Sequence, residues 1–422
     1  MSDLKLHVHP GDVIAAVKTL HGGDAALVDY EVLKGTETVQ GFMSSIFRVR
    51  ATCQVPSGEI KVAQFVVKRL PVMEAQRKVA QEMRLFDQEA AFFTRCFPLM
   101  KRKCPDLKVV ECFFTHSAST IVMEDLGLSG FSSIIKNLGE LEEQVLTLSH
   151  VRMVIRELAK FHASSQGTDW LKEMPELFER DVLLEGDGGK TFRQMVSGTI
   201  ICTVVPLMKH IYKDDLDRIK KYTDWLEDLQ GNVFPCLVKS CKADPRYVNA
   251  LCHGDCWVNN FMFRSHPDTD EPLEIRFIDM QVLRYAPVYS DLMYLLYLSI
   301  KSDFRKMHEK SLLKTYVETF NSISNSTPDP IDLDQFVQGY DESRLGGMLF
   351  TISLFPLAFL EEISPPDGEE LSEENLKNLF GTGGDEEKRK IKAVEVFQTN
   401  VIFRKDMTNA IADLIFEMDT IV

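Results

Sequence analysis

Three things are scarce in this 422-residue sequence: paired cysteines, concentrated positive charge and long uncharged runs. The nine cysteines are odd in number, scattered, and show no Cys-x-x-Cys spacing. They read as reduced thiols of a cytoplasmic protein, which excludes a disulfide frame or a zinc site. Lys and Arg number 48 against 63 Asp and Glu, a formal charge of −15. With no basic stripe to offset it, that balance excludes a general binder of nucleic acid or of an anionic membrane. The longest uncharged stretches, Met195–Met208 and Gly346–Leu360, are short for a spanning helix, and each contains a proline, Pro206 or Pro356. Both read as buried core helices, so no membrane insertion is expected.

What is present falls into two patterns. The first part is β-rich: Ser45–Thr52 and Gln64–Leu70 are β-branched or aromatic runs joined by the turn signal Val55-Pro56-Ser57-Gly58, and so read as a hairpin. A helix over about Gln76–Phe97, a strand near Val109–Phe114 and a strand Thr120–Met123 complete a small sheet with one inserted helix. From Ser132 onward the periodicity is helical: Val151, Val154, Ile155, Leu158 and Phe161 share one face at i, i+3, i+4 and i+7. Short strand-like pieces interrupt the helices around Tyr247–His253 and Glu274–Met280. The polar stretch Ser364–Lys390 has little to bury and reads as a surface loop with some charged helix. The fold class is α+β, with residues 1–126 as a small β-rich N-lobe and 127–422 as a large, mostly helical C-lobe.

The strongest chemical signal is His253-Gly254-Asp255-Cys256-Trp257-Val258-Asn259-Asn260, followed by Phe277-Ile278-Asp279-Met280-Gln281. Phosphoryl transfer needs a carboxylate to accept the proton of the attacking hydroxyl, and an amide oxygen with a second carboxylate to hold magnesium. Asp255, Asn260 and Asp279 fit those roles in that order. The Asp255-to-Asn260 interval equals that of the kinase pattern H-R-D-L-x-x-x-N, with Gly254 in place of the arginine. Ile275 and Phe277 should share a strand face with Asp279 and aim it over the cleft.

Lys68, inside Phe65-Val66-Val67-Lys68, is expected to meet the α- and β-phosphates of ATP, because a lysine on a buried strand needs a negative partner. Glu89 lies on the inward stripe of its helix with Phe86, Ala90, Phe93 and Phe97, and is the expected partner. Gln40-Gly41-Phe42-Met43-Ser44-Ser45 offers Gly41, Ser44 and Ser45 as a phosphate-approaching loop. Tyr294, Tyr297, Met348, Phe350, Phe355 and Phe359 are candidates for an apolar acceptor pocket.

Lys68, Glu89, the Val122-Met123-Glu124-Asp125-Leu126 segment, the His-Gly-Asp-x-Trp-x-x-Asn box and Ile-Asp-x-Gln resemble the ecdysteroid-kinase-like family, which is similar to the choline and aminoglycoside kinases. The resemblance implies a bilobal protein-kinase-like fold, with adenine on the backbone near Glu124 and Leu126 and with Asp291 bracing the catalytic loop. It further implies ATP and Mg²⁺ as cofactors, and transfer of the γ-phosphoryl group to a secondary hydroxyl of an ecdysteroid-like steroid. Two other readings stand beside it: a kinase for choline or ethanolamine, and a catalytically silent kinase-fold protein that binds a hydrophobic ligand. His162 reads as a structural histidine on a core helix, and His253 as orienting the loop rather than relaying protons.

Overall fold

The structure, a computed structural model, describes residues 4–35, 43–72, 74–116, 119–135, 146–179, 185–323, 330–354 and 385–420. Strands β1 (Ala26–Lys34), β2 (Ser45–Gln54), β3 (Ile60–Arg69), β4 (Cys112–His116) and β5 (Thr120–Glu124) form one sheet in the order β1-β2-β3-β5-β4. All four pairings are antiparallel. The β2–β3 hairpin closes at the expected turn, where Gly58 takes φ +85° and its N–H reaches Val55 O at 2.8 Å.

Side-chain alternation gives this sheet two different faces. Phe65 and Val67 of β3, with Val49 and Ala51 of β2, pack under helix α1 (Pro10–His21) through Val13, Ala16 and Val17. Lys68 points to the opposite face, where Ile121 and Met123 of β5 join the core shared with the helical part of the chain.

The inserted helix, expected as one element, is broken. It runs as α2 (Glu74–Glu82) and α3 (Leu85–Ala91), a π-helical turn at Phe92–Cys96, and α4 (Phe97–Lys103). The break falls at Arg84, which adopts a left-handed φ of +54°, and the π turn accommodates one extra residue before Pro98. Neither feature has a signature in side-chain periodicity. The strand expected near Val109–Phe114 also begins later, at Cys112, because Val109 bridges to Phe277 of a different hairpin.

The rest is helical: α5 (Leu148–Ser164), α6 (Trp170–Glu173), α7 (Pro175–Phe178), α8 (Gly186–Thr199), α9 (Val205–Ile211), α10 (Leu216–Glu227), α11 (Phe234–Cys241), α12 (Tyr289–Leu298), α13 (Ser302–Ile323) and α14 (Leu333–Leu354). Two further helices, Glu386–Thr399 and Val401–Met418, close it. Most of the expected polar segment 364–390 lies outside the described residues, and its last residues open the first of these helices. The apolar stretch Met195–Met208 is the core element expected. It continues from α8 through a π turn at Ile200–Val204 into α9, and Val196, Ile200, Val204 and Leu207 are fully buried. By length and composition Gly189–Ile211 could cross a membrane, and 61% of its most apolar window is buried within the fold.

Two small hairpin-like sheets carry the loops of interest: β6 (Asn249–Cys252) with β9 (Arg284–Pro287), and β7 (Phe261–Ser265) with β8 (Pro272–Phe277). Glu274 of β8 ties its sheet together, accepting from Arg264 Nη2 at 2.7 Å and Arg276 Nη1 at 2.5 Å, with Lys108 Nζ at 3.3 Å. Partial burial would push this carboxyl up, but the three cations outweigh it and hold it at about 2. A depressed value means that the stabilisation is complete above the ordinary 4.5 and is lost as pH falls from there towards 2. Glu274→Gln should therefore lower stability at neutral pH by about 1 kcal/mol, discounted for solvent screening. In urea unfolding at stepped pH the gap from wild type should close on acidification; a gap independent of pH would show that the charge contributes nothing.

Candidate active site

The site begins with a buried ammonium group. Lys68, 4% exposed on β3, faces α3, and its Nζ donates to Glu89 Oε2 at 2.6 Å. Of the expected inward stripe, Phe86, Ala90 and Phe93 are buried with Glu89, which has no exposed surface, while Phe97, beyond the π turn, is half-buried. Lys68 also reaches Asp279 Oδ1 at 2.5 Å and Gln281 Oε1 at 3.3 Å. Burial opposes the lysine's charge, but Asp279 and Glu89 outweigh that cost and raise its pKa above the ordinary value. For Glu89, burial pushes upward against the pull of Lys68, while its second oxygen accepts the Met280 N–H at 3.2 Å. One lysine therefore joins the sheet, the inserted helix and the segment after β8.

Asp279 arrives at Lys68 by a route other than strand alternation. Strand β8 ends at Phe277, and Asp279 itself sits at φ +67°. Ile275 and Phe277 are buried as expected, but a left-handed turn, not the strand face, aims the carboxylate. Aspartate tolerates that conformation better than most residues. Gln281 Nε2 donates to Asp279 Oδ2 at 3.2 Å and steadies it.

The loop after β6 supplies the second group of residues. Asp255 is partly exposed, and both of its oxygens are held: Oδ1 accepts from Tyr294 Oη at 2.7 Å, and Oδ2 from Asn260 Nδ2 at 2.8 Å. Its carboxyl is raised above the ordinary value by burial first and by the nearby Asp279 second. Asn260 Nδ2 donates also to Asp255 O at 2.8 Å, so the amide nitrogen is spent inside the loop. Ile278 stitches the two groups together: its N–H donates to Asn260 O at 3.1 Å, and its carbonyl meets His253 Nε2 at 3.0 Å.

The loop keeps its path because Asp291 grips it. Asp291 Oδ2 accepts His253 N–H at 2.6 Å, and Oδ1 accepts Gly254 N–H at 2.9 Å. Burial would raise this carboxyl, but His162 and the loop donors outweigh burial and hold it below the usual carboxylate range. His162, fully buried on α5, joins Asp291 Oδ2 at 3.1 Å to Tyr316 Oη at 2.7 Å. Both His253 ring nitrogens meet backbone groups, Ile278 O and Asp255 N–H. That histidine orients the loop.

Gly254, where the kinase pattern has arginine, has a stereochemical reason. Its φ is +81°, and an added Cβ would lie 1.8 Å from Val282 O.

Of the other expected positions, Ser44 and Ser45 are half-buried at the start of β2, while Gly41 lies outside the described residues. Glu124 ends β5, and its carboxylate accepts the Glu111 N–H at 2.9 Å. Leu126 is buried just beyond it. A cavity between α11, α12 and α14 lies beside the loop, its walls including Cys241, Arg284, Met293, Tyr294, Gly347 and Phe350. Tyr297 and Met348 line a separate cavity against the last helix, and Phe355 and Phe359 fall outside the described residues. Sequence reasoning gave no role to Gln281, Arg284 or Ser299, whose Oγ accepts Val258 N–H at 2.9 Å. Tyr294 appeared only as an aromatic, although its i+3 spacing from Asp291 on α12 puts both on one helix face.

The ecdysteroid kinase-like family matches the chain over residues 38–326. None of the curated proteins matches it. Among solved structures the chain is similar to an ethanolamine kinase of Plasmodium vivax, with 13% identity, TM-score 0.39, and 95% of this chain and 87% of that one covered. An aminoglycoside 2'-phosphotransferase in complex with GDP has 12% identity and TM-score 0.40, over 93% of this chain and 96% of that one. A microcompartment-associated aminopropanol kinase has 13% identity and TM-score 0.37, over 92% and 98%.

Gly254→Ala should cost about 3 kcal/mol or more, from left-handed strain together with the collision with Val282 O. Chemical denaturation measures it; a variant as stable as wild type would mean that the loop does not follow this path.

Proposed function

The chain belongs to the ecdysteroid kinase-like family, and from that premise we propose that it transfers the γ-phosphoryl group of ATP to a secondary hydroxyl of a neutral, largely apolar alcohol of the ecdysteroid type. Small-molecule kinase chemistry is the class that the family gives. The observation that supports phosphoryl transfer is the convergence of Lys68, Glu89 and Asp279 on one side and of Asp255 and Asn260 on the other, joined through Ile278; the steroid acceptor rests on the family.

In this reading Lys68 holds the α- and β-phosphates, and Glu89 keeps its ammonium group in place from the side away from the nucleotide. The backbone near Glu124 and Leu126 takes the adenine, and the Gly41, Ser44 and Ser45 segment approaches the phosphates. Asp255 accepts the proton of the attacking hydroxyl. Its raised pKa brings it nearer to the operating pH, as a base requires.

Asn260 and Asp279 offer an amide oxygen and a carboxylate, the hard oxygen donors that Mg²⁺ takes. Held there, such an ion would supply positive charge against that of the phosphates. The fit is supported by the amide of Asn260, whose nitrogen is committed to Asp255.

The cavity beside the loop has Met293, Tyr294 and Phe350 in its walls, which suits an apolar acceptor. None of the nine cysteines is in a disulfide, which supports a cytoplasmic setting.

A panel of ecdysone, choline and ethanolamine, assayed for ATP-dependent phosphate ester formation, tests the reading. Ecdysone should be phosphorylated, Asp255→Asn should lower kcat by roughly 10²–10⁴-fold, and Asp279→Ala should abolish turnover. Preference for choline or ethanolamine would overturn the steroid assignment; binding of ecdysone without turnover of any alcohol would leave a silent ligand-binding protein.

A further inference from the structure

The base has one neighbour that no metal or nucleotide role explains. Tyr294 lies one helical turn after Asp291 on α12, and its hydroxyl donates to Asp255 Oδ1 at 2.7 Å. On the far side Asn260 Nδ2 donates to Oδ2 at 2.8 Å. A carboxylate held by one donor can still rotate about its Cβ–Cγ bond. Held by two donors, one on each oxygen, it has a fixed plane.

Each oxygen keeps a second lone pair, so the clamp leaves Asp255 able to accept from a bound alcohol. The clamp is itself anchored. The Tyr294 ring packs against Phe350 of α14, with centroids 5.3 Å apart, and the residue is 7% exposed. It also forms part of the wall of the cavity beside the loop. The same side chain therefore touches the base with its hydroxyl and belongs to a residue in the wall of the cavity beside the loop.

We propose that Tyr294 is a positioning residue for phosphoryl transfer, holding the Asp255 carboxylate in the plane from which it accepts the acceptor's proton. The proposal rests on the reading of Asp255 as the base. Orientation of that kind acts in the transition state: a carboxylate free to rotate spends most of its time turned away from the reacting hydroxyl. Nucleotide binding, which depends on Lys68 on the other side of the cleft, is untouched.

Tyr294→Phe isolates the hydroxyl, since the ring and its contact with Phe350 remain. Measured with Mg·ATP and whichever panel alcohol wild type phosphorylates fastest, kcat should fall by about tenfold to a hundredfold, the effect of losing one hydrogen bond to a charged group. The KM for ATP should stay within twofold, and the melting temperature should stay close to that of wild type. Tyr294→Leu, which removes the ring as well, should lose kcat to at least the same extent and also stability. A Phe variant with wild-type kcat overturns the proposal, and so does a fall in kcat matched by an equal rise in the KM for ATP, which would mean that the whole cleft has loosened. Asp255→Asn run in parallel separates the two levels. If it is as active as wild type, or if wild type phosphorylates no alcohol, the assignment of the base fails and takes the proposal with it. If it is inactive while Tyr294→Phe is fully active, only the role of Tyr294 fails.

Discussion

A single buried ammonium group sets the terms for the rest of the molecule. Lys68 is almost wholly out of water between a sheet and a helix, and an ammonium group there is tolerable only if negative partners meet it with good geometry. Glu89 comes from the inserted helix, Asp279 from the turn after β8, and the three lie within 2.6 Å contacts. Because two acids meet the lysine, removing either leaves the other to compensate it, whereas removing the lysine leaves Glu89 buried without a cation, at a cost of about 3–5 kcal/mol. The small sheet, the helix and the helical lobe are therefore held in register by electrostatics at this one point. In the proposed reading, the interaction that fastens the two lobes together is also the one that the chemistry uses.

Asp255 is controlled separately, from below. Helix α12 presents Asp291 to the backbone N–H groups of His253 and Gly254, Tyr294 to the side chain of Asp255, and, just past its end, Ser299 to Val258 N–H. Three grips on one loop from one helix make the loop's shape a property of the helical core. His162 and Tyr316 extend the hold into α5 and α13. With both oxygens of Asp291 occupied and the residue 1% exposed, it is an anchor for the loop and has no proton-transfer work to do.

How much of this the sequence discloses depends on distance along the chain. Asp255, Asn260 and Asp279 stand in compact motifs whose spacing carries their chemistry. The Lys68–Glu89 pair is visible because a strand and a helix each have a regular period, on which a charged residue at a core position stands out. Periodicity is blind to what happens between elements. The left-handed residues Arg84 and Asp279 break a helix and redirect a carboxylate, and neither shows as a change in hydrophobic pattern. Tyr294 was legible as an aromatic and illegible as a donor, since its partner is 39 residues away. Gly254 stood out only as a departure from a known pattern, and the backbone requirement behind it, the collision with Val282 O, is visible only in the structure.

Charge balance in the cleft ties these observations to the acidic composition. Two carboxylates, those of Glu89 and Asp279, meet one ammonium group, and Asp255 lies close enough to Asp279 to feel its charge, within a chain of net charge −15. A nucleotide triphosphate brought to such a place alone would meet net repulsion, because Lys68 is already satisfied by two of the acids. In the proposed reading, a divalent cation arriving with the nucleotide would supply the missing positive charge, and Asp279, sharing its carboxylate with that cation, would leave Lys68 freer to donate to phosphate oxygens. In the proposed reading, cation and nucleotide thus bind as a unit, and the excess of acid over base in the cleft is what makes each depend on the other.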